Sequence, residues 1–354
     1  MTVSIPPLQQ AAVVQNPGDD FTVVLREDIP VATPGIDEIL IKLNCTGICH
    51  SETRAVLGWG AYNSIIGHEG VGTVVQAGTN VPSSLMGQRV GFKWLYKACT
   101  ECSVCRRGFF QNCPNQLNTS RHVPGTLQQY AIADARFITR IPDGVPDEVA
   151  APLLCAGLTM AGALAHLDKE LQPGDFLVIS GSGGGLGHIG VQIAARVKRL
   201  RVIAVDTGED KRALSLSSGA EAFVDFRTED VAQRVLDITA EGAHATIVVP
   251  GTKEAFQMAP RLVRNMGHII CVGLPRNDIE LPISATLCAA RGLTIKGSSV
   301  GSEKQMEELL QLALDGVITP AIEVFEFSET SNLIQRITND AILGRAVVKI
   351  PQQQ

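Results

Sequence analysis

Short apolar runs alternate with helix-like windows after about residue 170, and this alternation constrains the fold more than any other feature of the sequence. The runs cover residues 176–180, 201–205, 222–225, 246–249, 268–272 and 293–296. Strands separated by helices pair in parallel, because each helix carries the chain back to the same edge of the sheet. The pattern therefore predicts an α/β fold with a doubly wound parallel sheet and helices on both faces.

The two ends of the chain have a different pattern, in which β-like runs are separated by prolines and glycines. In the first half these runs lie at residues 39–43, 70–75 and 89–93. The last fifty or so residues contain a helix-like window and two β-like runs, at residues 303–314, 322–327 and 346–350. We expect a β-rich domain of residues 1–157 that resumes at 299–354, with the parallel-sheet domain of residues 158–298 inserted between its two parts.

The composition is that of an ordinary globular protein with a modest acidic excess. The 354 residues include 30 Lys and Arg against 36 Asp and Glu, which gives a net charge of −6. Because the chain has no basic surplus, we expect small-molecule partners and neither nucleic acid nor an anionic membrane surface.

The longest uncharged stretch, residues 149–165, is at the lower length limit for a membrane-spanning helix. It has neither an aromatic belt nor a flanking basic cluster, so a buried helix is the better interpretation. The N-terminus lacks the basic segment and apolar stretch of a secretory signal. We therefore expect a cytoplasmic protein whose nine cysteines are buried thiols or metal-bound thiolates.

Four cysteines are clustered within a lobe of residues 95–115. Cys99, Cys102, Cys105 and Cys113 form the pattern C-x2-C-x2-C-x7-C, which lets four thiolates converge on one Zn²⁺. Because four cysteines leave no position for water or substrate, the expected metal is structural and holds a lobe with little apolar core. An iron–sulfur cluster and unligated thiols are the alternatives.

Cys49, His68 and Cys155 form a second, dispersed set of possible metal ligands. Two thiolates and one imidazole would leave the fourth position of a tetrahedral zinc open, as a catalytic site requires. Spacing alone supports this set weakly, because a lone histidine or cysteine is more often packed in a core.

A glycine-rich loop, GSGGGLG at residues 181–187, follows the first apolar run of the parallel-sheet region. Its glycines fit the pattern G-x-x-G-x-x-G through Gly181, Gly184 and Gly187, with Gly185 and Leu186 between the last two. Only glycine lets the backbone come close to a pyrophosphate, whose charge is favoured by the amides at the start of the next helix. The loop therefore predicts a dinucleotide-binding site.

Asp206 ends the next apolar run, nineteen residues after Gly187. An acid at this position accepts hydrogen bonds from a ribose 2′-hydroxyl and repels a 2′-phosphate, so the cofactor is expected to be NAD rather than NADP. A glycine-rich turn followed by a solvated aspartate is the alternative.

With these residues identified, the sequence resembles the zinc-dependent medium-chain alcohol dehydrogenases, in particular their yeast-type tetrameric branch. Further family motifs occur in order over essentially the full chain: CHSE at 49–52, GHEG at 67–70, GFKW at 91–94, APLLCAGLT at 151–159, VGLP at 272–275 and GRAVVK at 344–349. The resemblance implies a GroES-like catalytic domain, a Rossmann cofactor domain and a homotetramer.

The resemblance also implies roles for individual residues. Cys49, His68 and Cys155 take the positions of the catalytic-zinc ligands, and the four clustered cysteines take those of the structural-zinc ligands, which gives two zinc ions per chain. Glu69 matches an acid that can approach the metal when the water site is vacant. Glu52 matches a carboxylate that holds the zinc-binding imidazole and fixes its tautomer.

Three further positions match residues of the cofactor site in this family. His50 and Arg345 match residues that contact the pyrophosphate, and Lys211 matches one near the adenosine ribose. For these three residues, as for Glu52, an ordinary surface charge is the alternative.

In the implied mechanism, an alcohol binds the open zinc position as an alkoxide and transfers a hydride to NAD. Ser51 takes the position of the residue that accepts the alcohol proton, with a helix N-cap as the alternative. Arg54 stands where the family usually has the last histidine of the proton relay, and an arginine cannot act as a base at neutral pH. Either the proton leaves through water, or the chemistry slows at low pH, or another group substitutes.

Two tryptophans are expected to border the substrate. Trp59 lies in a loop that is shorter than usual for the yeast type, which would widen the pocket, whereas Trp94 matches an aromatic wall that narrows it. The expected substrates are primary or secondary alcohols and the matching aldehydes or ketones. A specialised carbonyl reductase or polyol dehydrogenase with a wider pocket and a catalytically silent zinc- and NAD-binding protein are the alternatives.

Overall fold

One part of the chain is inserted into the other, so that two units form and neither is continuous in sequence. The computed structural model describes residues 4–275 and 280–352. Unit 1 comprises Met1–Cys155, Ser302–Leu314 and Ile322–Gln354, and unit 2 comprises Ala156–Gly301 and Asp315–Ala321.

The junctions between the units differ from those expected from the sequence. The expected domain ends were residues 157 and 298, whereas the units change after Cys155 and Gly301. The segment Asp315–Ala321 belongs to unit 2, although the sequence assigned it to the returning part of the first domain. A side chain of unit 2 binds this segment, since Gln192 Nε2 donates to the Thr319 carbonyl at 3.0 Å.

Strands dominate unit 1, and strands alternate with helices in unit 2. Within the described residues the strands are β1 Leu8–Gln15, β2 Thr22–Pro30, β3 Glu38–Ile48, β4 Glu69–Ala77, β5 Arg89–Phe92, β6 Leu95–Lys97, β7 Leu117–Asn118, β8 Tyr130–Asp134, β9 Thr139–Arg140, β10 Phe176–Ser180, β11 Arg201–Asp206, β12 Ala222–Asp225, β13 Ala243–Val248, β14 Val263–Cys271, β15 Thr294–Gly297, β16 Ile322–Phe325 and β17 Arg345–Lys349. The α-helices there are α1 Glu52–Val56, α2 Asp147–Pro152, α3 Leu158–Ala165, α4 Gly187–Gln192, α5 Glu209–Ser217, α6 Val231–Thr239, α7 Lys253–Leu262, α8 Ala285–Arg291, α9 Glu303–Leu314 and α10 Thr330–Thr338. Two π-helical turns, Leu153–Gly157 and Ile193–Val197, continue α2 and α4.

The described strands of unit 2 form one parallel sheet in the order β12-β11-β10-β13-β14-β15. Each apolar run found in the sequence overlaps one of these strands. Val178, Ile203 and Val224 on three neighbouring strands are fully buried, as expected for a sheet with both faces covered. The predicted doubly wound parallel sheet is confirmed, and its strand order reverses between β10 and β13, where such folds bind dinucleotides.

The larger sheet of unit 1 has the strand order β16-β17-β3-β4-β5-β9, and β8 pairs with β3 as well. Its pairings are antiparallel except for the parallel pair β16–β17. The C-terminal strand β17 lies against the end of β3, with Ala346 opposite Ile48. This pairing brings Arg345, at the start of β17, beside the residues that follow β3.

The uncharged stretch found in the sequence forms a helical segment, Asp147–Ala165, built from α2, the first π turn and α3. Its length and composition would allow it to cross a membrane, but 78% of its apolar window is buried within the protein. Such burial is typical of a core helix.

Candidate metal centres and cofactor loop

Cys49, His68 and Cys155 come from separate elements of unit 1 and converge at one place. Cys49 comes just after β3, and His68 directly precedes β4, the antiparallel neighbour of β3. Cys155 lies in the π turn that begins immediately after Pro152. Because proline has no amide hydrogen, it interrupts the helical hydrogen-bond ladder, and such wider turns often carry functional residues.

The three side chains have the spacing of ligands around one metal ion. Cys155 Sγ lies 3.2 Å from His68 Nε2 and 3.9 Å from Cys49 Sγ. In a tetrahedral zinc site with Zn–S of about 2.3 Å and Zn–N of about 2.1 Å, neighbouring ligand atoms are about 3.5 to 3.8 Å apart. The donor set of two sulfurs and one imidazole nitrogen is also one that zinc prefers, so these residues fit the ion.

Glu52 fixes the orientation of His68. Its Oε1 lies 2.6 Å from His68 Nδ1, and its Oε2 accepts a hydrogen bond from the Cys49 amide at 2.9 Å. Both side chains are almost completely buried. Because the carboxylate engages Nδ1, Nε2 is the ring nitrogen that faces the cysteines and could bind a metal ion. The alternative that Glu52 is an ordinary surface charge is therefore wrong.

The charges around this cluster favour a bound cation. The hydrogen bond from the Cys155 thiol is the main cause that lowers the pKa of Cys49 well below its ordinary value, and Arg345 acts in the same direction. Burial opposes a charged imidazole, but Glu52 and Cys49 raise the pKa of His68 well above its ordinary value. The lowered pKa favours the thiolate of Cys49, the form of cysteine that binds a metal ion, whereas the hydrogen bond with Cys49 raises the pKa of Cys155.

Glu69 also points into this cluster and is paired with a buried arginine. One of its carboxylate oxygens lies within 4.8 Å of each of the three ligand atoms described above. Arg345 Nη2 donates to Glu69 Oε1, and the two side chains are 3% and 0% exposed. Burial raises the pKa of Glu69 to about 7, although Arg345 works against this rise. Arg345 is thus buried beside Glu69, and its interpretation as a surface charge is wrong.

Gly47 makes room for the buried Glu69 carboxylate. The two residues are opposite each other on β3 and β4, and a Cβ at position 47 would lie 2.0 Å from Glu69 Oε2. Among the described residues, Glu69 Oε2 and Arg345 Nε are both buried without a hydrogen-bond partner. Buried polar atoms of this kind normally bind an ion, water or ligand. Glu69 Oε2 can therefore accept a hydrogen bond or bind a cation, and Arg345 Nε can donate to a polar ligand beside the metal site.

Ser51 occupies the N-cap position of α1 but does not cap the helix. Its side chain makes no capping hydrogen bond, and its Oγ is buried with no hydrogen-bond partner in residues 4–275 and 280–352. The capping interpretation is therefore wrong, and the hydroxyl remains available to another group.

His50 is 61% exposed and lies 3.6 Å from Asp340, while Arg54 is half-buried within α1.

Aromatic rings line one side of the dispersed ligand set. The Trp94 ring stands edge-on to the His68 ring at 5.4 Å between centroids. Tyr62 lies next to Trp94, with a distance of 6.4 Å between the centroids of the two rings. Trp59 is half-buried in the preceding loop, where its amide donates to the Arg54 carbonyl at 2.7 Å. Trp94 is thus placed beside a predicted metal ligand.

The four clustered cysteines also converge. Their sulfur atoms all lie within 4.8 Å of one another, with Cys99 Sγ 3.9 Å from Cys105 Sγ and 3.5 Å from Cys113 Sγ. Backbone amides of Cys102 and Glu101 are the main cause that lowers the pKa of Cys99 to about 6. Four sulfur donors in one cluster fit a structural zinc ion.

The lobe around these cysteines has almost no apolar core besides the cysteines themselves. Cys105 and Cys113 are buried together with Ala98 and Phe137, and Phe110 packs against them at the edge. The short strands β6 and β7 pair at the base of the lobe. Because so few apolar side chains are buried, a metal is needed to hold this segment folded.

The glycine-rich loop connects β10 to α4 as the sequence predicts. Gly181 has a φ of +72°, and a Cβ at Gly187 would lie 2.0 Å from the Gly181 carbonyl oxygen. Both positions therefore require glycine. Gly184, Gly185 and Leu186 are half-exposed on the outer part of the loop, where a ligand can reach their backbone.

Asp206 lies at the end of β11 and is joined to the same loop. It is 4% exposed, and its two oxygens accept hydrogen bonds from the amides of Gly183 at 3.0 Å and Thr207 at 2.9 Å. Lys211 Nζ lies 3.3 Å from the same carboxylate. Asp206 is therefore not a solvated surface acid, and Lys211 lies beside it.

Gly47, Tyr62 and Gly183 were not among the residues selected from the sequence. A signal existed for Gly183, because it lies within the glycine run although it is outside the G-x-x-G-x-x-G pattern. A Cβ at Gly183 would lie 2.4 Å from Lys211 Cβ, so this glycine allows the loop to approach α5. No signal in one dimension identifies Gly47 or Tyr62, because their roles depend on the strand and ring opposite them.

Two family models match the chain. The alcohol dehydrogenase GroES-like domain matches residues 35–143, and the zinc-binding dehydrogenase model matches residues 185–315. Alcohol dehydrogenase 2 of Emericella nidulans is 37% identical over an alignment that covers 98% of this chain and 98% of the relative. The alcohol dehydrogenase of Schizosaccharomyces pombe is 36% identical over 353 residues, which cover 98% of this chain and 99% of the relative.

Solved structures are similar over nearly the whole chain. Acetophenone reductase from Geotrichum candidum, in complex with NAD, matches with a TM-score of 0.85 and 26% identity over 98% of both chains. The alcohol dehydrogenase of Aeropyrum pernix matches with a TM-score of 0.86 and 26% identity over 96% of this chain and 100% of the other. The chain therefore belongs to the zinc-dependent medium-chain alcohol dehydrogenases, a family of oxidoreductases with a GroES-like and a Rossmann domain.

Proposed function

We propose that the chain is an NAD-dependent alcohol dehydrogenase that interconverts an alcohol with its aldehyde or ketone and holds two zinc ions. The observation that carries this proposal is the convergence of Cys49 Sγ, His68 Nε2 and Cys155 Sγ, with Glu52 fixing the imidazole. Three protein ligands leave a fourth position for substrate, which distinguishes this set from the closed four-cysteine set. Unit 1 is then the catalytic domain, and unit 2 is the NAD-binding domain.

The residues beside the dispersed ligands transfer the substrate proton or position the metal ligands. Zinc, when bound, supplies a Lewis acid, and NAD supplies the hydride acceptor. Ser51 Oγ, which is buried and without a hydrogen-bond partner within the described part of the chain, would accept the proton of the substrate hydroxyl while its own hydrogen passes on to the cofactor ribose. Glu52 binds His68 Nδ1 and so directs Nε2 toward the metal position. Glu69, held by Arg345, supports the metal site from its inner side.

The glycine loop and the strand after it form the cofactor site of this proposal. The half-exposed backbone of Gly184, Gly185 and Leu186 binds the pyrophosphate, while Gly181 and Gly187 allow the close turn. Four polar side chains of the chain are assigned to the cofactor. These residues are Asp206 and Lys211 at the adenosine ribose and His50 and Arg345 at the pyrophosphate.

The substrate class follows from the aromatic wall and the short loop before it. Trp94 and Trp59 border primary or secondary alcohols, and the wall at Trp94 limits their width beside His68. The resemblance of the sequence to the yeast-type branch is the basis for proposing a cytoplasmic homotetramer as the assembled form.

The direct test combines metal content with activity. We expect two zinc ions per purified chain and NAD reduction with ethanol, with a benzylic or allylic alcohol, or with both. Turnover restricted to a polyol would favour the polyol dehydrogenase alternative. One zinc ion per chain and no hydride transfer with any of these alcohols would instead identify a silent binding protein and refute the proposal.

Replacing Asp206 by alanine is expected to relax the preference for NAD over NADP by about tenfold or more, because a hydrogen bond to a charged group contributes about 1.5 to 3 kcal/mol. The ratio of kcat/KM for the two cofactors measures this change. Asp206→Asn keeps the side-chain shape beside Gly183 and should also relax the preference, while Asp210→Ala in the first turn of α5 should leave the ratio unchanged. An unaltered ratio in both Asp206 variants would show that this acid does not select the cofactor.

Replacing Arg54 by histidine is expected to change the pH dependence of kcat more than KM for the alcohol. A histidine with an ordinary pKa of about 6.5 is neutral above that pH and can then accept the relayed proton. The kcat for alcohol oxidation should therefore increase most between about pH 6.5 and 8. Steady-state profiles of both parameters provide the measurement. Arg54→Gln removes the charge without adding a base, and matching profiles for the two variants would contradict the truncated relay.

A further inference from the structure

A backbone strap in unit 2, residues 315–321, is bound by one face of the helix that follows the glycine loop. The Gln192 side chain donates to the Thr319 carbonyl at 3.0 Å and accepts from the Thr319 amide at 2.8 Å. His188, four residues earlier and therefore on the same face, accepts at Nε2 from the Ala321 amide at 3.1 Å. Both helix side chains are almost completely buried.

The second ring nitrogen of His188 binds the glycine loop itself. Nδ1 lies 2.8 Å from the Gly184 carbonyl oxygen. Because Nε2 accepts a hydrogen from Ala321, it carries none, and the neutral ring therefore has its hydrogen on Nδ1 and donates it to Gly184. The backbone amide of His188 donates to the same oxygen at 3.2 Å.

This pair of hydrogen bonds fixes the peptide that joins Gly184 to Gly185. Glycine is otherwise free to rotate, and an ideal Cβ at Gly184 would have only the Gly181 carbonyl oxygen near it, at 3.4 Å. In a planar trans peptide the carbonyl and the following amide point in opposite directions. With the Gly184 oxygen directed at His188, the Gly185 amide is directed away from the helix, at the half-exposed outer part of the loop.

We propose that His188 is a positioning residue for the cofactor diphosphate, holding the Gly184 peptide so that the Gly185 amide faces the ligand, with the strap fixing its tautomer. This inference rests on the proposed NAD function of the loop. His188 does not touch the cofactor and acts through Gly184. Its loss should therefore weaken ligands that carry a diphosphate and leave the binding of the nucleoside part unchanged.

Two substitutions separate the two nitrogens of His188. His188→Asn keeps a donor close to the position of Nδ1 and loses the strap contact, whereas His188→Gln reaches the position of Nε2 and loses the contact with Gly184. We expect His188→Gln to raise the Kd for NADH about tenfold and His188→Asn to raise it at most about threefold, as judged from one lost hydrogen bond. The Kd for adenosine, measured by NMR titration, should change less than about twofold in both.

The control is Gln192→Ala, which removes two strap contacts without touching Gly184 and should leave the Kd for NADH close to that of the wild type. Hydrogen exchange of the wild-type chain adds a measurement that needs no variant, because NADH should protect the Gly185 amide. The inference would be overturned if the Kd for NADH were unchanged in His188→Gln, or if it rose equally in Gln192→Ala. It would also be overturned if the Kd for adenosine rose as much as that for NADH, or if NADH did not protect the Gly185 amide. A wild-type chain that does not bind NADH at all would refute the proposed function first, and the inference with it.

Discussion

The variant Cys155→Ser is expected to lose one of two zinc ions per chain and to lower kcat/KM for alcohol oxidation by about 10³-fold or more. A serine hydroxyl has nearly the same shape as the thiol but does not ionise near neutral pH, so it is a poor zinc ligand. The metal contributes several kcal/mol of transition-state stabilisation, and each 1.36 kcal/mol is worth about a factor of ten in rate. Cys155 lies within ligand distance of both Cys49 and His68, so its loss opens the site.

Metal analysis of the purified variant and steady-state kinetics measure the two effects together. Cys271→Ser is the matched control, because Cys271 is a partly buried free cysteine of β14 outside both cysteine clusters. It should retain two zinc ions and wild-type turnover. A Cys155→Ser protein that keeps both ions and full activity would exclude the dispersed ligand set as the catalytic centre.

The parallel-sheet unit could be predicted from the sequence because its signals are local. The apolar runs at 176–180 and 222–225 coincide with β10 and β12. Segment 315–321 could not be assigned correctly, because its place depends on hydrogen bonds from side chains more than a hundred residues earlier in the chain.

The four clustered cysteines and the dispersed ligand set differ in how well their spacing in the sequence predicts them. Four cysteines within fifteen residues must remain close together whatever the rest of the chain does. Cys49, His68 and Cys155 are brought together only by the pairing of β3 with β4 and by the turn after Pro152, neither of which the sequence states. Resemblance to a family supplied what spacing could not.

Arg345 illustrates a limit of predicting a residue's role from sequence. Its family position indicated a cofactor contact, and its charge indicated the surface as the alternative. The pairing of β17 with the end of β3 buries it against Glu69 beside the dispersed ligands, so the surface alternative is wrong. Burial of a charge requires a partner, and the partner lies 276 residues away in the sequence.

The variant Cys113→Ser is expected to affect stability more than any substitution at the dispersed set. It should lose the other zinc ion, because the closed four-sulfur site cannot be completed by a hydroxyl. Cys113 is 1% exposed and forms part of the small apolar cluster of the lobe, which has few other apolar side chains to hold it folded. Loss of a structural zinc removes several kcal/mol of folding free energy, which corresponds to a fall in Tm of roughly 10 °C or more.

Thermal unfolding with metal analysis tests this expectation, and absorption spectra of the wild type distinguish zinc, which is colourless, from an iron–sulfur cluster. Cys288→Ser changes a partly buried cysteine of α8 outside the lobe and should keep both ions and the wild-type Tm. Cys155→Ser should lose activity with a smaller change in Tm, because its surroundings are packed core, whereas the lobe depends on its metal for folding. Equal falls in Tm for Cys113→Ser and Cys288→Ser would show that the four sulfurs do not hold a structural metal.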